Sequence, residues 1–281
     1  MRIAVVGATG VIGRHVIPRL IERGHEVRAI VTKESDVVIL RGIGIDARLG
    51  NILETATLEH ALAGCDVALH LATAAPRPGR PANLVLNDRI RREGTLNLIA
   101  ACRRNGVERY VQQSVAFLVG GTGILVDEAA PLLPPTAATA SAIDMEAIVQ
   151  SSDLHWTILR GGALYGPCTG RDDAWRSQAR SHELRLPADG SDFISLVHVI
   201  DFARAFVLAS EQSHPGARLS IVDDVPITYR DLLTYVARLE GAPDPAPGGP
   251  SSLPSFRVTN GTAKKLLSWE PAFSSYRSGI V

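Results

Sequence analysis

Lysine is almost absent from this 281-residue chain. Of its 29 basic residues only Lys33, Lys264 and Lys265 are lysines, so none lies between positions 33 and 264. Tyrosine is as sparse, with five in all and none between Tyr110 and Tyr165. Chemistry that needs an amine or a phenol from the middle of the chain is therefore excluded. The three cysteines, Cys65, Cys102 and Cys168, are odd in number and far apart. They make neither a disulfide framework nor a metal-ligand spacing, so buried free thiols in a reducing cytoplasm, and no metal, are expected. No apolar run approaches the ~20 residues needed to span a bilayer. The first strand begins so early that a cleavable leader is not expected. With 29 acidic against 29 basic residues, no net field draws nucleic acid or an anionic membrane. The expected partner is a small molecule; nothing in the sequence decides the oligomeric state.

What is present is a hydrophobic content of 46%, enough to bury a large core as one elaborated domain or two interlocked ones. The start is the most informative stretch. The apolar run 3–6 breaks into Gly7-x-x-Gly10-x-x-Gly13, after which Val11, Ile12, Val16, Leu20 and Ile21 recur at helical spacing. A strand, a glycine turn and a helix form a dinucleotide cradle. Gly7 permits the turn, Gly10 admits a pyrophosphate to the backbone, and Gly13 lets helix and strand pack closely. The helix amides and positive dipole end then face the phosphates.

Strand candidates at 27–31, 67–71, 110–113 and 157–159 alternate with helical stretches at 11–23, 58–63, 89–105 and 141–152. This pattern predicts an α/β, doubly wound parallel sheet covered on both faces. Pro18 predicts a kink in the first helix. The segment 76–83 (Pro-Arg-Pro-Gly-Arg-Pro-Ala-Asn) leaves a strand on the side where such sheets bind ligands. The five-proline stretch 241–254 reads as a connection before a final helix at 263–267.

The second strand ends in Ile30-Val31-Thr32-Lys33 rather than in an acidic side chain. A carboxylate there would hold the ribose 2′-hydroxyl of NAD; Thr32 and Lys33, with Arg14 just past the third glycine, suit a 2′-phosphate instead. NADPH/NADP is the expected cofactor, with Glu34 or Asp36 serving NAD as the alternative.

Several blocks, in order, resemble the extended or atypical short-chain dehydrogenase/reductase family nearly end to end. They are the opening glycine turn, His70-Leu71-Ala72-Thr73, Gly94-Thr95-x-Asn97 and Arg109-Tyr110-Val111-Gln112-Gln113-Ser114. The series continues with Thr157 through Pro167, Val197-His198-Val199-Ile200-Asp201-Phe202-Ala203-Arg204-Ala205 and Leu266-Leu267-Ser268-Trp269-Glu270-Pro271. The resemblance implies a Rossmann core over 1–163, completed by about 193–224, and a smaller substrate-binding lobe from 164–192 and 225–281. It places the cofactor along Gly7, Thr9, Gly10, Val11, Ile12, Gly13 and Arg14, with adenine near Asn51 and Ile52. The nicotinamide is expected between Leu71, Ala72, Thr73, Ser114 and the turn that carries Gly162 and Leu164.

Family reductases use a Tyr-x-x-x-Lys pair on the fifth helix, the lysine lowering the tyrosine's pKa so that the phenol can donate a proton. If Glu146 matches the later acidic residue of that helix, the tyrosine position falls on Ala138 and the lysine position on Ala142. The fourth-helix asparagine is replaced by Arg91, with Asn87 one turn earlier on the same face. The expected catalytic donors are then Ser114 and His198, the latter because only histidine titrates near neutrality unperturbed. Asn87, Thr95 and Tyr165 are the expected substrate contacts. Two functions follow. One is an NADPH-dependent ketoreductase of secondary metabolism acting on an aromatic, angucyclinone-like polyketide, with its proton from a Ser/His donor or from a phenol on the substrate. The other is a non-catalytic NADP(H)-binding redox sensor.

Overall fold

A computed structural model describes residues 1–75, 83–121, 123–251 and 253–280; most of the proline-rich 76–83 segment lies outside them. The first half runs β1 (Arg2–Val6), α1 (Val11–Glu22), β2 (Glu26–Val31), α2 (Glu34–Gly42), β3 (Asp46–Leu49), α3 (Thr55–Leu62) and β4 (Val67–His70). Then come α4 (Leu84–Arg89), α5 (Thr95–Asn105), β5 (Arg109–Val115) and α6 (Ala140–Gln150). The second half continues β6 (His155–Gly161), β7 (Ala163–Tyr165), α7 (Arg171–Arg180), β8 (Arg185–Pro187), β9 (Phe193–Ile194), β10 (Leu196–His198) and α8 (Val199–Glu211). It ends with β11 (Ala217–Ile221), β12 (Ile227–Thr228), α9 (Tyr229–Leu239), β13 (Ala246–Gly249), α10 (Gly261–Leu267) and α11 (Tyr276–Gly279).

Seven strands form one parallel sheet in the order β11-β6-β5-β4-β1-β2-β3. The expected doubly wound Rossmann architecture is thus found. Strand order reverses between β1 and β4, and ligands bind at the carboxyl ends of strands at such a switch point. The central strands are apolar on both sides because both faces are covered. Ile3, Val5 and Leu69 pack toward α1 and α8, whereas Ala4, Val6 and Ala68 pack toward α3 and α5.

A separate apolar cluster joins β7, β10 and α9 to Phe256, Tyr276 and Ile280 of the C-terminal segment. Asp201, at the start of α8 and fully buried, ties that segment down. Its carboxylate accepts from the backbone amides of Ala272 (2.9 Å) and Phe273 (2.8 Å), and Trp269 Nε1 donates to its carbonyl at 3.0 Å.

Four expectations need correction. The helix expected over 89–105 is interrupted: α4 gives way to one wide π turn at Ile90–Gly94 before α5 begins. The 241–254 stretch contains a strand, β13, paired in parallel with β8, and the last helix is α11 rather than 263–267. Cys168 is exposed, at φ 67°, while Cys65 and Cys102 are the buried thiols. α1 runs through Pro18 without ending there.

Candidate functional site

The glycine turn fits a dinucleotide. Gly7 has φ +92°, and a Cβ on it would stand 2.6 Å from the Ala72 amide nitrogen, so the turns after β1 and β4 touch only because this side chain is missing. A Cβ on Gly13 would meet the Gly7 carbonyl at 2.6 Å. Gly10 differs: its Cβ would meet nothing nearer than the Gly7 oxygen at 3.0 Å, which leaves its outer side open for a phosphate. The first intrahelical bond of α1 is Arg14 N to Gly10 O, so the amides of Val11, Ile12 and Gly13 precede the ladder and have no intrahelical acceptor. No acidic residue occupies that first turn, as an anion at a helix N-terminus requires. Thr9 contributes its carbonyl, which takes the Arg14 Nε at 3.0 Å and folds the guanidinium back over the turn.

On the ribose side, Thr32 and Lys33 are exposed where β2 ends, and neither Lys33 nor Arg14 has a carboxylate partner among the described residues. Glu34 and Asp36 sit in the first turn of α2. Asn51 is engaged locally: its Oδ1 accepts from Leu53 N (3.1 Å) and its Nδ2 donates to Glu54 (2.7 Å). The amide expected to read adenine therefore shapes its own turn. Ile52 beside it is buried against Gly94.

Past β4, Leu71 is buried and Thr73 donates to Asn87 Oδ1 at 2.8 Å, while the Ala74 amide donates to the same oxygen at 3.0 Å. Asn87 is thus a clamp on the loop that follows Ala72, and its Nδ2 has no partner among the described residues. Gly162 serves close packing, because a Cβ there would stand 2.6 Å from Ser195 O. Leu164 offers its carbonyl to Arg171 Nε at 2.9 Å.

Of the expected donors, Ser114 is engaged elsewhere and His198 is held by its other ring nitrogen. Ser114 alternates onto the same face of β5 as Tyr110 and Gln112, and its hydroxyl donates to Glu146 Oε1 at 2.6 Å. Glu146 is itself held by Arg160 through two bonds of 2.9 and 2.6 Å, all three side chains being buried. The Ser114 hydrogen assigned to a substrate oxygen is therefore already in a strong charge-assisted bond. His198 caps α8, its Nδ1 accepting from Ile200 N at 3.3 Å, and its ring stacks on Phe273 with centroids 3.7 Å apart. Burial pushes its pKa down, against the pull of Asp201 and Asp172. Tyr165 is fully buried, donates to Ser275 O (3.3 Å), and lies edge-on to His198; burial raises its pKa. Thr95 is fully buried as well. Ser114, Tyr165 and Thr95 present no free hydroxyl at an open surface, whereas His198 keeps its ring hydrogen on Nε2, which has no partner among the described residues.

One group was missed. Arg91 was read only as the replacement of an asparagine, yet its Nη1 donates to Ala138 O and to Ser141 Oγ, both at 3.1 Å. Its position one helical turn beyond Asn87 was the available signal; the π turn that aims it at α6 leaves no mark in the residue pattern.

A family described as NAD(P)H-binding matches residues 7–183. The chain belongs to it. Among relatives, a 3-diazoavenalumate denitrifying reductase from a Streptomyces species is 35% identical over 310 aligned residues, covering 100% of this chain and 99% of that one. A ketoreductase of Stigmatella aurantiaca that acts on a farnesylated dihydroquinoline oxide is 28% identical, over 86% of this chain and 74% of that one. The UDP-glucose 4-epimerase of Thermotoga maritima, solved with UDP-glucose, superposes with a TM-score of 0.83 at 22% identity, over 100% and 96% of the two chains, which shows the shared fold. This NAD(P)H-binding protein is accordingly an oxidoreductase of the extended or atypical short-chain dehydrogenase/reductase family with a nicotinamide cofactor. No helix of its described residues is long and apolar enough to cross a membrane.

Proposed function

We propose that the protein is an NADPH-dependent ketoreductase of secondary metabolism whose substrate, an angucyclinone-like aromatic polyketide, brings its own acid. The observation that carries this reading is the Ser114–Glu146 hydrogen bond of 2.6 Å. With Ala138 and Ala142 at the family's tyrosine and lysine positions and the Ser114 hydroxyl given to Glu146, the expected donors among the described residues keep only the Nε2 hydrogen of His198. Burial disfavours the imidazolium that would make it a strong acid. The nicotinamide supplies hydride when bound. The chain's own residues then bind and orient: the glycine turn takes the pyrophosphate, Arg14, Thr32 and Lys33 take the 2′-phosphate, and Asn87 fixes the loop over the reacting end. A phenol adjacent to the ketone passes its proton to the oxygen that receives the carbonyl electron pair. The test is NADPH consumption at 340 nm with a phenolic polycyclic ketone and with its methyl ether. Equal rates for the two would overturn the substrate-acid reading.

A second reading draws on the denitrifying reductase similar to this chain along its whole length. Hydride added to an arenediazonium carbon expels dinitrogen and requires no proton. That would equally account for a site without a strong acid, and nitrogen release from an arenediazonium probe with matching NADPH oxidation would favour it.

A further inference from the structure

Arg91 is a half-buried guanidinium without an ion pair among the described residues. Its two hydrogen bonds go to neutral acceptors, the Ala138 carbonyl and the Ser141 hydroxyl, and both are made by Nη1. Nε and Nη2 make none to any described residue. The carboxylates around it are otherwise engaged: Asp144 holds Arg92 Nε at 2.7 Å, Asp88 lies 3.8 Å from Arg92 Nη1, and Glu146 belongs to Arg160. Burial works against the Arg91 charge, yet an arginine does not give up its proton in a protein. Such a group is either a strut between helices or a receptor for an anion.

Its placement favours the receptor. α4 and α6 both follow strands at the carboxyl edge of the sheet, on the β4 and β5 side of the switch point. Arg91 is one turn beyond Asn87, which holds the loop after β4, and it reaches the residues that open α6. The π turn at Ile90–Gly94 makes this possible, because the extra residue shifts the guanidinium around the helix axis toward Ala138. Exposed apolar side chains stand on the segments leaving the same two strands: Leu84 and Val85 at the start of α4, Ile124 and Leu125 beyond β5. Apolar surface with one unpaired cation suits a flat aromatic ligand that carries a single negative oxygen.

We propose that Arg91 is the anion-binding group of the substrate site and receives the phenolate formed when an aromatic substrate gives up its phenolic proton. This rests on the substrate-acid reading above. As hydride reaches the carbonyl carbon, the C=O π pair moves onto oxygen, the phenol O–H bond breaks, and the proton joins that oxygen. The charge left on the phenolate lies against the guanidinium, in a charge-assisted bond that a planar fork makes well.

The test uses 1,8-dihydroxyanthraquinone, whose visible absorbance reports ionisation, titrated into the protein saturated with NADP+. Wild type should bind the dye and lower its first ionisation midpoint by about one pH unit or more. Arg91→Gln should bind it about tenfold more weakly with the midpoint of the free dye, while NADP+ affinity stays unchanged. Arg91→Met, which keeps the packing of the stem, repeats the measurement if Arg91→Gln does not fold. Wild type binding no dye, or binding it without a shift, would overturn the proposal, as would a variant that retains the shift. A wild type that ionises the dye yet oxidises NADPH with no phenolic ketone would keep the anion site and discard the ketoreductase.

Discussion

Ser114 and Glu146 share a buried hydrogen bond of 2.6 Å, and Arg160 completes the triad with two bonds to the same carboxylate. Three strongly interacting polar groups sit where β5, β6 and α6 meet, so their first duty is structural. Glu146→Gln should destabilise by about 3–5 kcal/mol, because it leaves the Arg160 cation buried without a countercharge. Ser114→Ala should cost about 1–3 kcal/mol and leave turnover within a few-fold of wild type. Urea unfolding and NADPH oxidation rates on the two variants check both statements.

Gly10 and Gly13 separate folding from binding. Gly13→Ala should destabilise by about 1–3 kcal/mol, since its Cβ would meet the Gly7 carbonyl at 2.6 Å and the backbone must shift. Gly10→Ala meets only one atom at 3.0 Å and should melt near wild type. It should nevertheless bind NADPH about tenfold more weakly, through crowding of the pyrophosphate. Melting curves beside fluorescence titrations resolve the two effects.

The proposed preference for NADPH rests on Arg14 and Lys33. Removing either cation should weaken NADPH binding about tenfold, the worth of one charge-assisted hydrogen bond, and leave NADH binding unchanged. Equal losses for both nucleotides would show that these side chains do not read the 2′-phosphate.

Burial makes stability depend on pH through two groups of opposite sign. Asp223, buried with Oδ2 unpartnered among the described residues, is raised from 3.8 to about 8. The folded protein therefore holds a proton that the unfolded chain releases, and stability falls as pH rises from about 4 to about 8. His70, whose two ring nitrogens lack partners, is lowered from 6.5 to about 4, so its contribution is lost as pH falls through that interval and is constant above it. Between about pH 6.5 and 8 only Asp223 of the pair changes. Asp223→Asn, an amide standing in for the neutral acid, should flatten the loss of stability across that window in denaturant titrations.

The phosphate turn was legible because its glycines sit at fixed intervals between an apolar run and a helix-periodic one. The sheet was legible because buried parallel strands are apolar throughout. β3 was not, since Asp46-Ala47-Arg48-Leu49 reads as a polar loop; it is a strand because β2 offers it an edge. Asn51 was expected beside the adenine, but its amide faces its own turn, a matter of local hydrogen bonding that residue type leaves open. For Ser114 the signal existed: alternation along β5 puts it with Tyr110 and Gln112, on the side of α6. Arg91 was hidden by a change of helical register at Ile90–Gly94, which follows from tertiary contacts between two helices.

The anchorage at Asp201 has a consequence for how the molecule can be cut or extended. Its carboxylate is sealed by the amides of Ala272 and Phe273, and the Phe273 ring covers the histidine that caps the same helix. Residues 272–280 are thus a keystone rather than a tail. A chain ending before Ala272 would leave the buried Asp201 carboxylate with Arg204 as its one remaining side-chain partner and uncover His198 at once, so truncation there should destabilise the fold. The segment that follows α10 is tied to the central sheet's own helix at the first turn of α8.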